Sequence, residues 1–214
     1  MSKYDGILLA SGGMDSTVLS YKLLHEKKRI GILFLDYGQK FASTELTTLK
    51  KVIPNEYLDS LKVINISSIY QSSSSVMITG ANLWEKNVSA DDMYLPYRNL
   101  LFLTIAASYA QSIDVPKVYS AFINSNHAKE IDCSKDFFTY LEKMLYDIGF
   151  IQLEMPFRFF SKTDVARLGL QLDVPIDLTF SCQINEKNPC GACPNCVDRL
   201  EALNNIFLEA DNND

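Results

Sequence analysis

The stretch Ile7-Leu8-Leu9-Ala10-Ser11-Gly12-Gly13-Met14-Asp15-Ser16-Thr17 decides the fold. The apolar run at its start reads as a strand buried on both faces, the kind found inside a parallel sheet. The strand stops at two glycines, which lack a Cβ, so the chain can turn sharply and a ligand can approach the backbone closely. A helix-like stretch, Asp15–Lys28, follows. The first N–H groups of a helix have no intrahelical acceptor and carry a partial positive charge. Strand, turn and helix start together form an anion site suited to phosphate or pyrophosphate. Residues Ala10, Ser11, Gly12, Gly13, Met14, Asp15, Ser16 and Thr17 are therefore the candidate nucleotide-binding loop.

The commoner phosphate loop places a lysine directly after its last glycine. Here Met14 and Asp15 stand there, and the dinucleotide pattern G-x-G-x-x-G is absent as well. The hydroxyls of Ser11, Ser16 and Thr17 must supply donors that a lysine otherwise provides. Asp15 makes sense beside phosphates if a cation such as Mg²⁺ is shared with it. The plainer alternative is a strand–helix turn with Ser and Asp as capping residues.

Working outward, apolar strand-like runs at Asp5–Ala10, Ile30–Leu35, Lys62–Ile66, Lys117–Phe122 and Ile151–Met155 alternate with helix-like stretches. Those helices are expected at Asp15–Lys28, Phe41–Val52, Leu100–Ser112 and Ser134–Ile148. The alternation predicts an α/β fold, a doubly wound and mainly parallel five-stranded sheet with helices on both faces. Ligands of such sheets bind beyond the carboxyl ends of the strands, where the glycine turn falls. Two segments break the rhythm. Ile69–Pro96 is long for a plain connection and reads as an active-site loop or as disorder. Thr179–Cys196 carries most of the cysteines, which divides the chain into residues 1–178, the nucleotide-binding domain, and 179–214, a cysteine-rich region with a C-terminal helix.

The 214 residues suit one domain with a small appendage, and 47% hydrophobic content suffices for a large core. A formal net charge of −6 argues against broad binding to nucleic-acid backbones. No membrane-length apolar run and no leader pattern are present, so the expected location is the cytoplasm. In that compartment five cysteines are metal ligands or free thiols rather than disulfides.

Cys182, Cys190, Cys193 and Cys196 are spaced C-x7-C-x2-C-x2-C. Closely spaced thiolates in a turn-rich loop match a tetrahedral Zn²⁺ site with no open position, hence a structural one. An iron–sulfur cluster uses the same ligands and is the main competitor; disulfides come third.

Loop and cysteine cluster in one chain resemble the 7-cyano-7-deazaguanine synthases, a family of pyrophosphate-loop ATPases. The resemblance runs nearly end to end: Ser11–Ser16, Asp36-Tyr37-Gly38-Gln39, Pro96-Tyr97-Arg98-Asn99, Asp132-Cys133, Ser181-Cys182, and Cys190-Gly191-x-Cys193-x-x-Cys196. It implies the adenine-nucleotide alpha-hydrolase type of fold with a four-cysteine zinc subdomain, and ATP, Mg²⁺ and structural Zn²⁺ as cofactors. The implied reaction is adenylation of 7-carboxy-7-deazaguanine, attack by ammonia to give an amide, then dehydration to the nitrile. By this resemblance Asp36, Tyr37, Gly38 and Gln39 lie near the nucleotide. Arg98 and Asn99 open a helix facing phosphates or substrate carboxylate. Asp15, Arg98, Asp132, Cys133 and Lys162 are the candidate catalytic residues, and a homodimer is expected. Unassisted by the resemblance, Arg98 reads as a surface ion pair, Lys162 as a solvated helix-start lysine, and Cys133 equally as a nucleophile or a buried thiol. Of the two histidines, His25 sits on an exposed helix face and His127 lies near the strand expected to meet the substrate.

One block departs from the family. Where its members read Gly, then Asp, then Tyr-Pro-Asp-Cys-Arg, this chain has Ala121, Asn126, Glu130, Ile131, Asp132, Cys133 and Ser134. Only Asp132 and Cys133 match. A divergent member that passes the activated acyl group to another amine, on a small molecule or on a protein, is one expectation from this difference. A pyrophosphate-loop enzyme acting on tRNA and a non-catalytic nucleotide-binding module are the remaining alternatives. The acidic net charge disfavours nucleic acid.

Overall fold

The computed structural model describes residues 2–81, 88–89, 91–123 and 133–211. Five strands form one sheet: β1 (Gly6–Leu9), β2 (Ile30–Asp36), β3 (Lys62–Asn65), β4 (Lys117–Tyr119) and β5 (Gln152–Glu154). Their spatial order is β3-β2-β1-β4-β5 and every neighbouring pair is parallel. The chain first winds from β1 toward β3, then crosses back to place β4 on the other side of β1. The reversal between β1 and β4 is the switch point at which ligand crevices of such sheets open.

Helices cover both faces. Successive side chains of a strand point to opposite faces, and the core divides accordingly. Leu8, Ile32 and Phe34 pack against α1 (Met14–His25), α7 (Lys162–Gln171) and α8 (Pro194–Asp211), through Val18, Leu19, Leu23, Val165, Ala166 and Ala202. Ile7, Leu33 and Leu35 pack against α5 (Arg98–Ser112) and α6 (Lys135–Gly149), through Leu103, Ala106, Leu141 and Leu145. α2 (Ala42–Val52) closes the first face with Leu49, and the single turn α3 (Asn55–Leu58) adds Tyr57. This is the doubly wound α/β architecture expected from the strand–helix alternation.

The differences from the sequence reading lie at element ends. β4 stops at Tyr119, not Phe122, where its register with β1 ends opposite Leu8. Ser120 keeps one ladder bond, its N–H donating to Glu154 O at 3.0 Å. Ala121 and Phe122 then leave the sheet to line a cavity. α5 starts at Arg98, as the family resemblance implies and two residues before the apolar pattern does, with Tyr97 in a left-handed conformation at φ 55° accepting the first helical bond from Leu101 N. The long segment after Ile69 holds a helical turn, α4 (Val76–Thr79), whose N-cap is Ser75. Tyr70, Met77 and Leu95 bury themselves with Tyr37 at the end of β2. Asp132 and His127 lie outside the described residues, as does the tail beyond Asp211.

Candidate active site

The turn after β1 is held by its own side chains. Ser16 Oγ donates to Gly13 O at 3.2 Å and accepts from Ser11 N at 3.3 Å. Thr17 Oγ1 donates to the same carbonyl at 2.8 Å, and Gly13 N donates to Ser11 Oγ at 3.4 Å. Thr17 is wholly buried and Met14 sits in the core, so both build the turn from below. Ser11, Gly13, Asp15 and Ser16 face the space above it. Gly12 has φ +81°, and a Cβ there would lie 2.8 Å from Leu49 N and 2.9 Å from Glu45 O, both backbone atoms of α2. Only glycine fits between turn and helix. Gly13 is the N-cap of α1 and has no side-chain cap, so the first N–H groups of that helix remain for a ligand.

Asp15 and Lys162 meet across the turn. Lys162 is the first residue of α7, whose start is fixed by reciprocal hydrogen bonds between Ser161 and Asp164. Its Nζ lies 2.8 and 2.6 Å from the two Asp15 carboxylate oxygens, with both side chains about a quarter exposed. The cleft over the turn, about 320 Å³, is completed by Arg98, Ser120, Ala121 and Phe122. Arg98 thus borders an anion site at a helix start, and Lys162 is held next to it through Asp15.

A second chamber, about 270 Å³, adjoins the first and shares Ser11, Arg98, Ser120 and Phe122 with it. Its wall is mostly apolar, from Leu9, Phe34, Leu35, Tyr37, Met77 and Phe102. Tyr37 is locked by Tyr70 and Phe102, ring centroids 6.3 and 5.1 Å away; burial pushes its phenol well above the ordinary range. Gln39 is a buried bracket: Oε1 accepts from Tyr37 N at 2.9 Å, and Nε2 donates to Leu35 O at 3.3 Å and to Glu45 Oε2 at 2.9 Å. Asp36 caps the same bend, accepting from Gly38 N at 3.1 Å and from Asn65 Nδ2 at 2.7 Å. Asn99, buried on α5, donates from Nδ2 to Cys133 Sγ at 2.8 Å. Cys133 thus sits just ahead of the α6 N-cap, Ser134.

Glu45 is a site residue that the sequence reading misses. It is 6% exposed, lines the inner chamber, and burial pushes its carboxyl up to about 7 against the opposing pull of Gln39 and Arg98. A signal for it exists: Glu45 falls four and seven residues before the buried Leu49 and Val52, a carboxylate on the apolar face of α2. Gln183 and Asn195 also line this chamber. They come from the cysteine-rich segment, where no periodicity marks inward-facing residues.

The sulfurs of Cys182, Cys190, Cys193 and Cys196 all lie within 4.8 Å of one another. A tetrahedral Zn²⁺–thiolate site, with bonds of about 2.3 Å, needs sulfurs about 3.8 Å apart, so the donor set fits. Backbone N–H groups of Asn185 and Cys190 point at the Cys182 sulfur, and that of Cys193 at Cys190, at 3.2 to 3.4 Å. Such donors favour thiolates. The segment is also tied to the nucleotide loop. Phe180 N donates to Gly12 O at 3.0 Å, Phe180 packs edge-on against Phe41, and Thr44 Oγ1 donates to Glu186 at 2.6 Å. Arg199 of α8, half-buried, donates to the carbonyls of Thr179 and Ile176.

Comparison with known proteins agrees with this arrangement. Residues 5–207 match the family model described as "Queuosine biosynthesis protein QueC". A 7-cyano-7-deazaguanine synthase of Archaeoglobus fulgidus is 34% identical, covering 92% of this chain and 84% of the relative. One from Picrophilus torridus is 32% identical over 95% and 87%. Among solved structures, one described as a predicted subunit of tRNA methyltransferase from Methanocaldococcus jannaschii superposes with a TM-score of 0.51 at 16% identity, over 78% of this chain and 74% of that one. That likeness concerns the fold alone.

Proposed function

Because the chain belongs to the 7-cyano-7-deazaguanine synthase family, we propose that it activates the carboxylate of 7-carboxy-7-deazaguanine with ATP and aminates it with ammonia. It is an enzyme of that family, a ligase forming a carbon–nitrogen bond at the expense of ATP. The observation that carries the finer reading is the pair of adjoining chambers. One is an anion site at a helix start; the other is apolar and ring-sized, and Arg98 borders both.

In the first step a substrate carboxylate oxygen attacks the α-phosphorus of ATP. The bond to the bridging oxygen breaks and pyrophosphate leaves onto the turn. Ser11, Gly13 and Ser16 hold it with hydroxyl and backbone donors, while Gly12, Met14 and Thr17 keep the turn in shape. Lys162 exchanges Asp15 for phosphate oxygens, and Arg98, with a planar fork suited to carboxylate and phosphate alike, aligns the two reacting groups. Mg²⁺, when bound, would be held by Asp15 and would supply charge neutralisation. Ammonia then attacks the acyl carbon and AMP leaves, giving the amide. A second activation, at the amide oxygen, permits loss of AMP to give the nitrile. The protein's share is positioning and charge stabilisation. Cys133, hydrogen-bonded by Asn99, is the candidate nucleophile for this dehydration: its thiolate would displace AMP from the activated amide to form a thioimidate, and would leave again as the nitrogen loses its proton and the nitrile forms; Asp132 stays a candidate from sequence alone.

The four-cysteine cluster holds structural zinc in this reading, residues 1–178 form the ATP-binding domain and 179–214 the metal-binding region. The working location is the cytoplasm, where unpaired cysteines persist; none of the five forms a disulfide, and among the described residues no helix is long and apolar enough to cross a membrane. The active unit is a homodimer. ATP/pyrophosphate exchange that depends on 7-carboxy-7-deazaguanine tests the activation step, and mass spectrometry of the product tests the rest. Exchange without added carboxylate, or none at all, defeats the proposal. A second reading rests on Ala121 and Ser134, which replace a glycine and an arginine of the family pattern: the acyl group goes to another amine, including one on a protein. Nitrile formed from ammonia at an ordinary enzymatic rate eliminates it.

A further inference from the structure

The inner chamber is apolar over most of its wall, yet three polar side chains on it are left with hydrogen-bonding capacity. Glu45 Oε2 accepts from Gln39, while among the described residues its Oε1 accepts no hydrogen bond. Gln183 is 8% exposed, and its amide makes only a 3.5 Å contact to Ser181 O. The amide of Asn195 makes no hydrogen bond among the described residues. Glu45 and Gln183 are buried, where an unpaired polar group costs about 1–3 kcal/mol, while Asn195 is half-buried. A ligand presenting a flat apolar body with donors and acceptors around its rim would satisfy all three while packing on Phe102 and Tyr37.

Two of the three groups are adjacent in sequence to metal ligands. Gln183 follows Cys182, and its backbone N–H is hydrogen-bonded to the Cys193 sulfur. Asn195 precedes Cys196 at the start of α8. Their positions in the wall are set by the same loops that close around the metal. Phe180, two residues before Cys182, is bonded to Gly12 O in the nucleotide turn.

We propose that Gln183 and Asn195, with Glu45, read the edge of a purine-type ring in the inner chamber, and that the four-cysteine centre holds them in reading position. The metal site is then part of the binding site rather than a remote staple. This rests on the proposed function, in which both substrates carry such a ring: the adenine of ATP and the pyrrolopyrimidine of the carboxylate.

The test separates the two sources. KM for ATP and for 7-carboxy-7-deazaguanine is measured for Gln183→Leu, Asn195→Leu and Glu45→Gln, together with zinc content by mass spectrometry. The expected result is a rise of tenfold or more in KM for one of the two substrates, the same one in all three variants, with zinc content unchanged. KM values that stay put, or that rise for different substrates in different variants, overturn the proposal. In a second arm, zinc is withdrawn from the intact protein with a chelator, and equilibrium binding of ATP and of the carboxylate is followed by calorimetry. Affinity for the same substrate should fall at least tenfold while far-ultraviolet circular dichroism keeps its α/β signal. Undiminished affinity overturns the metal's part. Calorimetry needs no turnover, so an inactive wild-type protein would defeat the proposed reaction while the chamber assignment is still decided by ATP and carboxylate binding in the variants.

Discussion

The nucleotide turn and the inner chamber share a wall and are built in opposite ways. The turn is a run of consecutive residues whose internal hydrogen bonds span at most five positions, as between Ser11 and Ser16. The chamber gathers side chains from β1, β2, α2, α4, α5, the end of β4 and the cysteine segment. The turn is closed by local backbone geometry, while the chamber exists only once distant elements have packed. Chemistry that recurs with every nucleotide sits on the local device, and chemistry that picks a substrate sits on the distributed one.

The contrast breaks most easily at Gly12, where the turn presses on α2. A Cβ there meets two backbone atoms that cannot swing aside, in a conformation with φ +81°. Such strain costs about 1–3 kcal/mol, and displacing the turn by even a fraction of an ångström misplaces the phosphates. Gly12→Ala should lower carboxylate-dependent pyrophosphate exchange by about 100-fold or more. Near-wild-type exchange would mean that the turn is pliable and the contrast false.

The cysteine segment tests the other side. Cys193 is wholly buried among the sulfurs. Cys193→Ser should abolish stoichiometric zinc, read by mass spectrometry, and lower stability by about 3 kcal/mol or more. For a domain of this size that corresponds to a melting point lower by about 6–12 °C. Full zinc occupancy in the variant would remove Cys193 from the ligand set.

Lys162 joins the two regions more weakly. Its pair with Asp15 is partly exposed, so it contributes at most about 1 kcal/mol to stability. Its charge beside the turn matters more. Lys162→Met should leave the melting temperature within about 3 °C of wild type and reduce exchange by about 10- to 100-fold. A large loss of stability with exchange intact would make the lysine a structural brace.

What sequence can reveal follows the same divide. The run Ile7–Thr17 announces strand, turn and helix because each signal is local: apolar continuity, glycines, then a helical period. The four cysteines are legible because metal geometry demands close spacing. The parallel sheet and its two-faced core follow from alternation. Glu45, Gln183 and Asn195 escape notice since a polar residue is presumed solvated until a distant wall covers it. Lys162 is singled out only by the family resemblance, and its meeting with Asp15, 147 positions away, depends on how α7 docks beside α1. The left-handed Tyr97 ahead of α5 leaves no mark on the apolar pattern; the start at Arg98 is legible only through the family motif around it.

The smallest effect concerns the chamber without its ligand. Burial raises the Glu45 carboxyl from its ordinary 4.5 to about 7. Between those values the folded protein binds more protons at this site than the unfolded chain, so stability falls as pH rises. The penalty is absent below about pH 4.5 and complete above about pH 7. Asp5 and Asp164 are shifted the other way, from 3.8, by their hydrogen bonds to Arg29 and Ser161, and act only in more acidic solution. Glu45→Gln keeps an acceptor for Gln39 and removes the charge. The variant should therefore gain about 1–2 kcal/mol over wild type at about pH 8, less than the full shift implies because the site relaxes around a charge. The gain should vanish by about pH 4. Chemical denaturation at the two pH values reads both. A gain of equal size at the lower pH would mean that the carboxyl is not raised and that the chamber wall is wetter than its apolar lining suggests.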